Sequence, residues 1–237
     1  MPPLRPFELL VHALLPPLCV HCAEPLPEAR PGVCRWCRAT LRPLPEGCRR
    51  CGLPRPGSPE LCDRCRDWPD GLVAVAATRY AGAAESIAHA LKYHGWTHLA
   101  DLCAQSMADA LGSRGGEIEA LIPVPLHRAR LRERGFNQSE LLARSLSDRL
   151  GIPVVDALVR ARPTRSQVGL GRAARRRNVA EAFAPVGSLR ARGVFGLVDD
   201  VATSGATLAA AGKALAASGA DRITAVTFAL ALAGPPR

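Results

Sequence analysis

Aromatic side chains are scarce in this sequence. Tryptophan, tyrosine and phenylalanine make up 4% of its 237 residues, which argues against a base-stacking surface of the usual aromatic kind. Lysine is nearly absent: Lys92 and Lys213 are the two lysines among 31 basic residues. No stretch approaches the ~20 apolar residues that a membrane span needs, so no membrane insertion is expected. Two phosphate-binding signatures are missing. No G-K-[ST] of a Walker loop is present, and no G-x-G-x-x-G follows the first strand pattern. The features of an export leader are lacking as well. In MPPLRPFELLVHALLPPLCV the apolar run is broken by Glu8 and His12, stops at Pro16-Pro17 and offers no small-residue cleavage site. Residues 6–15 are expected to form a short amphipathic helix, and the expected location is cytoplasmic.

Apolar residues make up 48% of the chain, the content of a globular protein. The length suits one sizeable core plus a small extra module. The net charge of +10 is unevenly placed. Residues 1–70 carry ten arginines against eight acids, whereas residues 71–237 carry twenty-one cations against thirteen acids. A basic excess in the C-terminal part suits a polyanionic partner, phosphates or nucleic acid. A genome of biased composition also yields chains rich in arginine and alanine.

Eight of the nine cysteines form four C-x-x-C pairs: Cys19/Cys22, Cys34/Cys37, Cys48/Cys51 and Cys62/Cys65, with spacers of eleven, ten and ten residues. A C-x-x-C turn aims two thiolates at one point, and two such turns complete a tetrahedron around Zn²⁺. Two structural zinc sites are expected, most simply 19/22/34/37 and 48/51/62/65; an interleaved arrangement satisfies the same spacing. A disulfide framework would need an oxidising compartment, and redox C-x-x-C motifs rarely come in fours. Residues 16–70 are rich in proline, glycine and arginine, so metal binding would supply the folding energy, on the order of 10–16 kcal/mol for a structural site. Arg35, Trp36, Arg38, Arg49, Arg50 and Arg64 suit a nucleic-acid or protein contact, and equally suit solvated loops. Cys103, alone in an apolar helical pattern, reads as a small core residue.

From Gly71 the texture changes to alternating strands and helices. Strands are expected at 72–80, 120–125, 153–160, 193–201 and 222–232, and helices at 83–93, 98–112, 137–151 and 206–219. This alternation implies an α/β domain with a parallel sheet covered on both faces, and a ligand crevice at the carboxyl ends of its strands. Asp199 and Asp200 stand where one apolar strand ends. Ala202, Thr203, Ser204, Gly205, Ala206 and Thr207 lead into the next helix, whose first N–H groups and dipole favour an anion. Three hydroxyls and a glycine complete a phosphate cradle, and two neighbouring carboxylates can accept hydrogen bonds from a diol. Phosphate beside diol describes a ribose 5-phosphate. Lys92, at a helix end, is placed to reach a phosphate or to cap the helix.

VFGLVDDVATSGAT resembles the phosphoribosyl-pyrophosphate (PRPP) motif of type I phosphoribosyltransferases. The chain as a whole resembles the ComF (competence protein F) family, through LPPLCVHC and the later cysteine pairs, HALKYHG, IPVPLHRARLRERGFNQSELLARSL and RARPTRSQVGLGRAARRRNVAEAF. Ser204 stands where threonine is frequent and keeps the hydroxyl. The resemblance implies a type I phosphoribosyltransferase fold over residues 71–237, behind an N-terminal helix and double zinc ribbon in residues 1–70. It implies that Asp199 and Asp200 hold ribose hydroxyls, that residues 202–207 bind the 5-phosphate, and that Mg²⁺ arrives with PRPP. The basic turn after LIPVP takes the place of the pyrophosphate loop, and residues 160–178 that of a closing lid.

Cleaving PRPP at C1 develops positive charge on the ribose and negative charge on the diphosphate. Cations and exclusion of water then matter more than covalent help. Arg132 and Arg134 are expected on the diphosphate and Arg162 on the lid, since arginine forks match phosphate oxygens. No residue stands out as a general base, and the phosphoribosyl acceptor is not legible. The family is associated with DNA uptake in natural competence, so the resemblance implies a role in that uptake or in nucleotide salvage, with single-stranded DNA and competence-machinery proteins as further expected partners. The competing expectation is a non-catalytic adaptor that grips single-stranded DNA with the same basic loops.

Overall fold

The two longest apolar strand patterns take the centre of the sheet. In the computed structural model, β5 (Val194–Ala202) and β6 (Arg222–Leu230) are buried along almost their whole length, as central parallel strands must be. Shorter β1 (Leu72–Arg79) and β2 (Ala120–Pro123) form the edges, giving the order β1-β6-β5-β2 with every pair parallel. The structure describes residues 16–27, 32–45, 47–54, 62, 65, 68–161, 182–187 and 193–232. The amphipathic helix expected at 6–15 lies outside the described residues.

One face of the sheet is covered by α2 (Ala83–Tyr93), α3 (Leu99–Leu111) and α5 (Gln138–Leu150). Their buried Ile87, Leu91, Met107, Leu142 and Leu146 share a core with Leu121, Val198, Val226 and Phe228. The other face packs on α6 (Ala206–Ala217), where Leu208 and Leu215 meet Ile122, Leu197 and Ala225. The alternation of Leu197 and Val198 between the two cores is the period-2 pattern of a strand buried on both sides. Gly196 has a packing reason: a Cβ there would lie 2.7 Å from Leu121 Cδ2. The register Pro123↔Val198, Val198↔Val226 and Arg79↔Leu230 brings the carboxyl ends of all four strands to one edge.

Residues 153–160 depart from the expected strand. Leu121 N–H donates to Pro153 O and Val155 N–H donates to Leu121 O, so Val154 only bridges the sheet edge. Ala157 N–H then turns back onto Val155 O, which ends the ladder. Leu158–Arg160 forms β3 instead, antiparallel to β4 (Phe183–Pro185) in a separate two-stranded ribbon. The basic stretch after β2, expected as a turn, contains a helix, α4 (Arg128–Arg134). His127 Nδ1 accepts from Ala129 N–H at its start, and left-handed Gly135 ends it.

The cysteines assemble in sequence order. The ligand sulfurs of Cys19, Cys22, Cys34 and Cys37 lie within 4.8 Å of one another, as do those of Cys48, Cys51, Cys62 and Cys65. Observed Sγ···Sγ separations of 3.5–3.7 Å match the roughly 3.8 Å edge of a tetrahedron with Zn–S bonds of about 2.3 Å. Burial opposes ionisation of Cys19 and Cys48, yet backbone N–H donors outweigh it and draw both thiols down to about 6. Both groups fit structural zinc. They differ in what they pack on. The first, whose Cys34 caps α1 (Arg35–Ala39), forms a small cluster with Leu26 and Ala83. The second shares the α6-side core of the sheet through Trp68 and Leu72, and Trp68 Nε1 donates to Leu72 O at 2.8 Å.

Candidate functional site

A cleft of about 680 Å³ opens at the carboxyl edge of the sheet, where an α/β fold of this kind binds its ligands. Asp199 and Asp200 lie on its floor, at 7% and 4% exposure. The acid pair expected at the ligand crevice lines the cleft and is largely covered. Ser139 Oγ, near the start of α5, donates to Asp199 Oδ1 at 2.9 Å, and Asp200 N–H donates to the same oxygen at 3.0 Å. Ser139 is held there by Asn137, whose Oδ1 accepts from Ser139 N–H while its Nδ2 donates to Val124 O, each at 3.1 Å. The cap of α5 thus ties the end of β2 to the acid on β5.

Lys92, in the last turn of α2, places Nζ 2.5 Å from Asp200 Oδ2. It stands at the helix C-terminus as expected, and its ammonium turns to the acid pair. Burial works against its charge, but Asp200 outweighs burial and the ammonium is held more firmly than an ordinary lysine. At Asp199 burial comes first and the adjacent Asp200 charge second. Together they override Lys92 and Ser139 and push its carboxyl up to about 7.

Beyond the acids the chain turns into α6. Ala202, Thr203, Gly205, Ala206 and Thr207 line the cleft. Gly205 is the helix N-cap in a left-handed conformation (φ 76°), which a side chain would resist. Ser204 is not among the lining residues; its Oγ accepts from Ala206 N–H at 3.4 Å. The first turn of α6 therefore presents backbone N–H groups and the positive end of a twelve-residue helix to the cleft.

The other side of the cleft is basic. Arg130 and Arg134 of α4 line it together with Arg160 of β3. Positions 130 and 134 share a helix face, being four residues apart, whereas Arg132 points away and is exposed outside the lining. Arg134 donates to Gln138 Oε1 at 2.5 Å and lies over the Tyr93 ring at 5.3 Å. Burial, and then the nearby Arg130 charge, lower the pKa of the Arg160 guanidinium. Arg162 and most of the expected lid lie outside the described residues. Sequence reasoning missed Ser139, Gln138 and the Lys92–Asp200 pair, because each joins elements far apart in the chain. The i, i+4 spacing of Arg130 and Arg134 was the available clue to the right face of α4. Among the described residues no helix is long and apolar enough to cross a membrane.

Comparison with known proteins adds the following. The family model of the double zinc ribbon domain matches residues 10–66. DNA utilization protein YhgH of Escherichia coli O157:H7 is 34% identical over 88% of this chain and 95% of its own length. Competence protein F of Haemophilus influenzae is 33% identical over 86% of this chain and 93% of its own. A purine phosphoribosyltransferase from Pyrococcus horikoshii aligns with 59% of this chain and 79% of its own, at 20% identity and a TM-score of 0.35.

Proposed function

The chain belongs to the competence protein F family, and from that premise we propose that it binds PRPP with Mg²⁺ and transfers its phosphoribosyl group in the use of DNA taken up from outside. The observation that carries this reading is the placement of three features around one cleft: a carboxylate pair at the end of β5, the N-terminus of α6, and a wall of arginines. The 5-phosphate would sit on the N–H groups of 203–207, with the hydroxyls of Thr203 and Thr207 beside it. Asp199 and Asp200 would accept hydrogen bonds from the ribose hydroxyls. Arg130, Arg134 and Arg160 would face the diphosphate, and an anion there would relieve the Arg130–Arg160 repulsion that adds to burial in lowering the Arg160 pKa.

Mg²⁺, entering on the diphosphate of the substrate, would supply further charge neutralisation to the leaving group. The chain's own residues would orient the sugar by its phosphate and hydroxyls. The arginine wall would draw off the negative charge that develops as the C1–O bond lengthens. The domain division proposed is 1–70 for the N-terminal helix and zinc ribbon and 71–237 for the phosphoribosyltransferase-like part. Two zinc-thiolate centres need reduced cysteines, which supports a cytoplasmic site of action.

Calorimetric titration of PRPP with Mg²⁺ tests the reading. Saturable binding to the wild type, lost in the Asp199→Ala/Asp200→Ala variant, is expected; no binding to the wild type overturns it. A second reading rests on α4, which buries none of its residues and carries Arg128, Arg130, Arg132 and Arg134. As an adaptor, the chain would grip single-stranded DNA along this helix. Such binding would be strongly salt-dependent and would survive the aspartate changes.

A further inference from the structure

Lysine is used once in the cleft of a chain that otherwise relies on arginine. Lys92 and Lys213 are its two lysines, and Lys92 is the one whose ammonium meets the acid pair. The side chain of Lys92 is 22% exposed and that of Asp200 5%, so the contact is well shielded from water and salt. Two adjacent carboxylates on a covered floor repel one another. The groups that face them come from every surrounding element. They are Lys92 from α2, Tyr80 after β1, Cys103 from α3, Ser139 from α5, and Arg160 from β3 with Arg130 beside it. Of these, Lys92 is the cation whose direct contact with a carboxylate of the pair is resolved.

The choice of lysine has a geometric consequence. An ammonium is a point charge that engages one oxygen, here Oδ2 of Asp200. A guanidinium fork grips both oxygens of a carboxylate and would take the acceptor that a sugar hydroxyl needs. The position at the end of α2 adds the favourable field of a helix C-terminus.

We infer that Lys92 is a positioning residue of this cleft: its ammonium anchors Asp200 by one oxygen and offsets the mutual repulsion of the two carboxylates, so that the pair can receive a diol. The inference deepens the PRPP reading and rests on it for the identity of the diol. The charge relationship among Lys92, Asp199 and Asp200 can be tested without any ligand.

The experiment compares wild type, Lys92→Met, Lys92→Arg, Asp199→Asn and Lys92→Met/Asp199→Asn in the full chain with zinc. Thermal denaturation is followed from pH 4 to pH 8, and PRPP with Mg²⁺ is titrated calorimetrically. The melting-point deficit of Lys92→Met should be smaller at pH 4, where Asp199 is protonated, and should grow toward pH 8 as Asp199 ionises. Adding Asp199→Asn should remove the pH-dependent part of it, which comes from repulsion between the two acids, including the case in which Lys92→Met alone does not fold at neutral pH. Lys92→Arg should keep stability yet bind PRPP at least about tenfold more weakly, the size of effect expected when one hydrogen bond to a charged group is lost. A deficit equal at all pH values, or one whose growth with pH Asp199→Asn leaves in place, overturns the inference. Equal PRPP affinity in wild type and Lys92→Arg overturns the one-oxygen argument. If the wild type binds no PRPP, the PRPP reading falls, while the melting curves still decide the role of Lys92.

Discussion

Ser139 and Asp199 are sixty residues apart in the chain, and the serine hydroxyl donates to the carboxylate at 2.9 Å in a buried setting. The bond connects the α5 cap to the β5 end, so the position of the acid depends on two elements at once. Removing the hydroxyl in Ser139→Ala leaves the buried carboxylate with one donor fewer. Stability should fall by about 1–2 kcal/mol, and the Asp199 carboxyl should rise above its present value of about 7. Urea denaturation checks the first effect and the pH dependence of ligand binding the second.

Asp199 also dictates the direction of a pH effect. Its folded pKa, about 7, lies above the ordinary 3.8, so the folded state holds the proton more tightly than the unfolded state. Its contribution to stability is therefore full below about pH 4 and is lost as the pH rises through about 7. The melting temperature of the wild type should decline across that window relative to Asp199→Asn. PRPP affinity should move oppositely, rising toward pH 8 as the carboxylate ionises, with a flat profile in Asp199→Asn. Both profiles can be read from one buffer series.

Arg130 and Arg132 provide a paired test of the cleft wall. Arg130→Ala should weaken the binding of PRPP with Mg²⁺ by roughly tenfold or more, in keeping with the strength of charge-assisted hydrogen bonds. Arg132→Ala should change it by less than about twofold, because screened surface charges contribute little. The adaptor reading expects the two variants to weaken DNA binding alike.

The two zinc centres should differ in consequence. Metal analysis is expected to give about two zinc per chain. Cys48→Ser should lower the melting temperature of the whole sheet, because Cys48 belongs to the same core as Leu72, Leu197 and Leu215. Cys19→Ser should act more locally, since among the described residues its buried cluster is small, with Leu26 and Ala83, and meets the sheet core only through partly buried residues such as Val33 and Leu41. Circular dichroism melts of the two variants separate these outcomes.

The legible parts of this fold were those written by local periodicity. The helix 83–93 and the strand that begins at Leu72 follow from side-chain spacing alone, whereas the spacing of the cysteines allowed an interleaved pairing as well as the in-order one that the sulfurs adopt. The strand pattern of 153–160 misled because Val155 and Val159 alternate as strand residues do, although both are exposed. The turn at Ala157, formed by a local hydrogen bond, settles the matter and leaves no mark in the pattern. In the cleft, Asp199, Asp200 and the approach to α6 could be located from one contiguous motif. Their partners could not. Ser139 and Lys92 reach the acids through tertiary packing, and Arg130 is distinguished from Arg132 only once 128–134 is known to be helical.

Because Cys48, Cys51, Cys62 and Cys65 belong to the core on which the sheet packs, metal supply and sheet assembly should be coupled in time. These cysteines leave the ribosome before the first sheet strand does, and chains fold from the N-terminus as they emerge. A cell starved of zinc would thus complete the translation of this protein with part of the core beneath α6 unbuilt, and the shortage would be felt as missing folded protein before it was felt as missing metal.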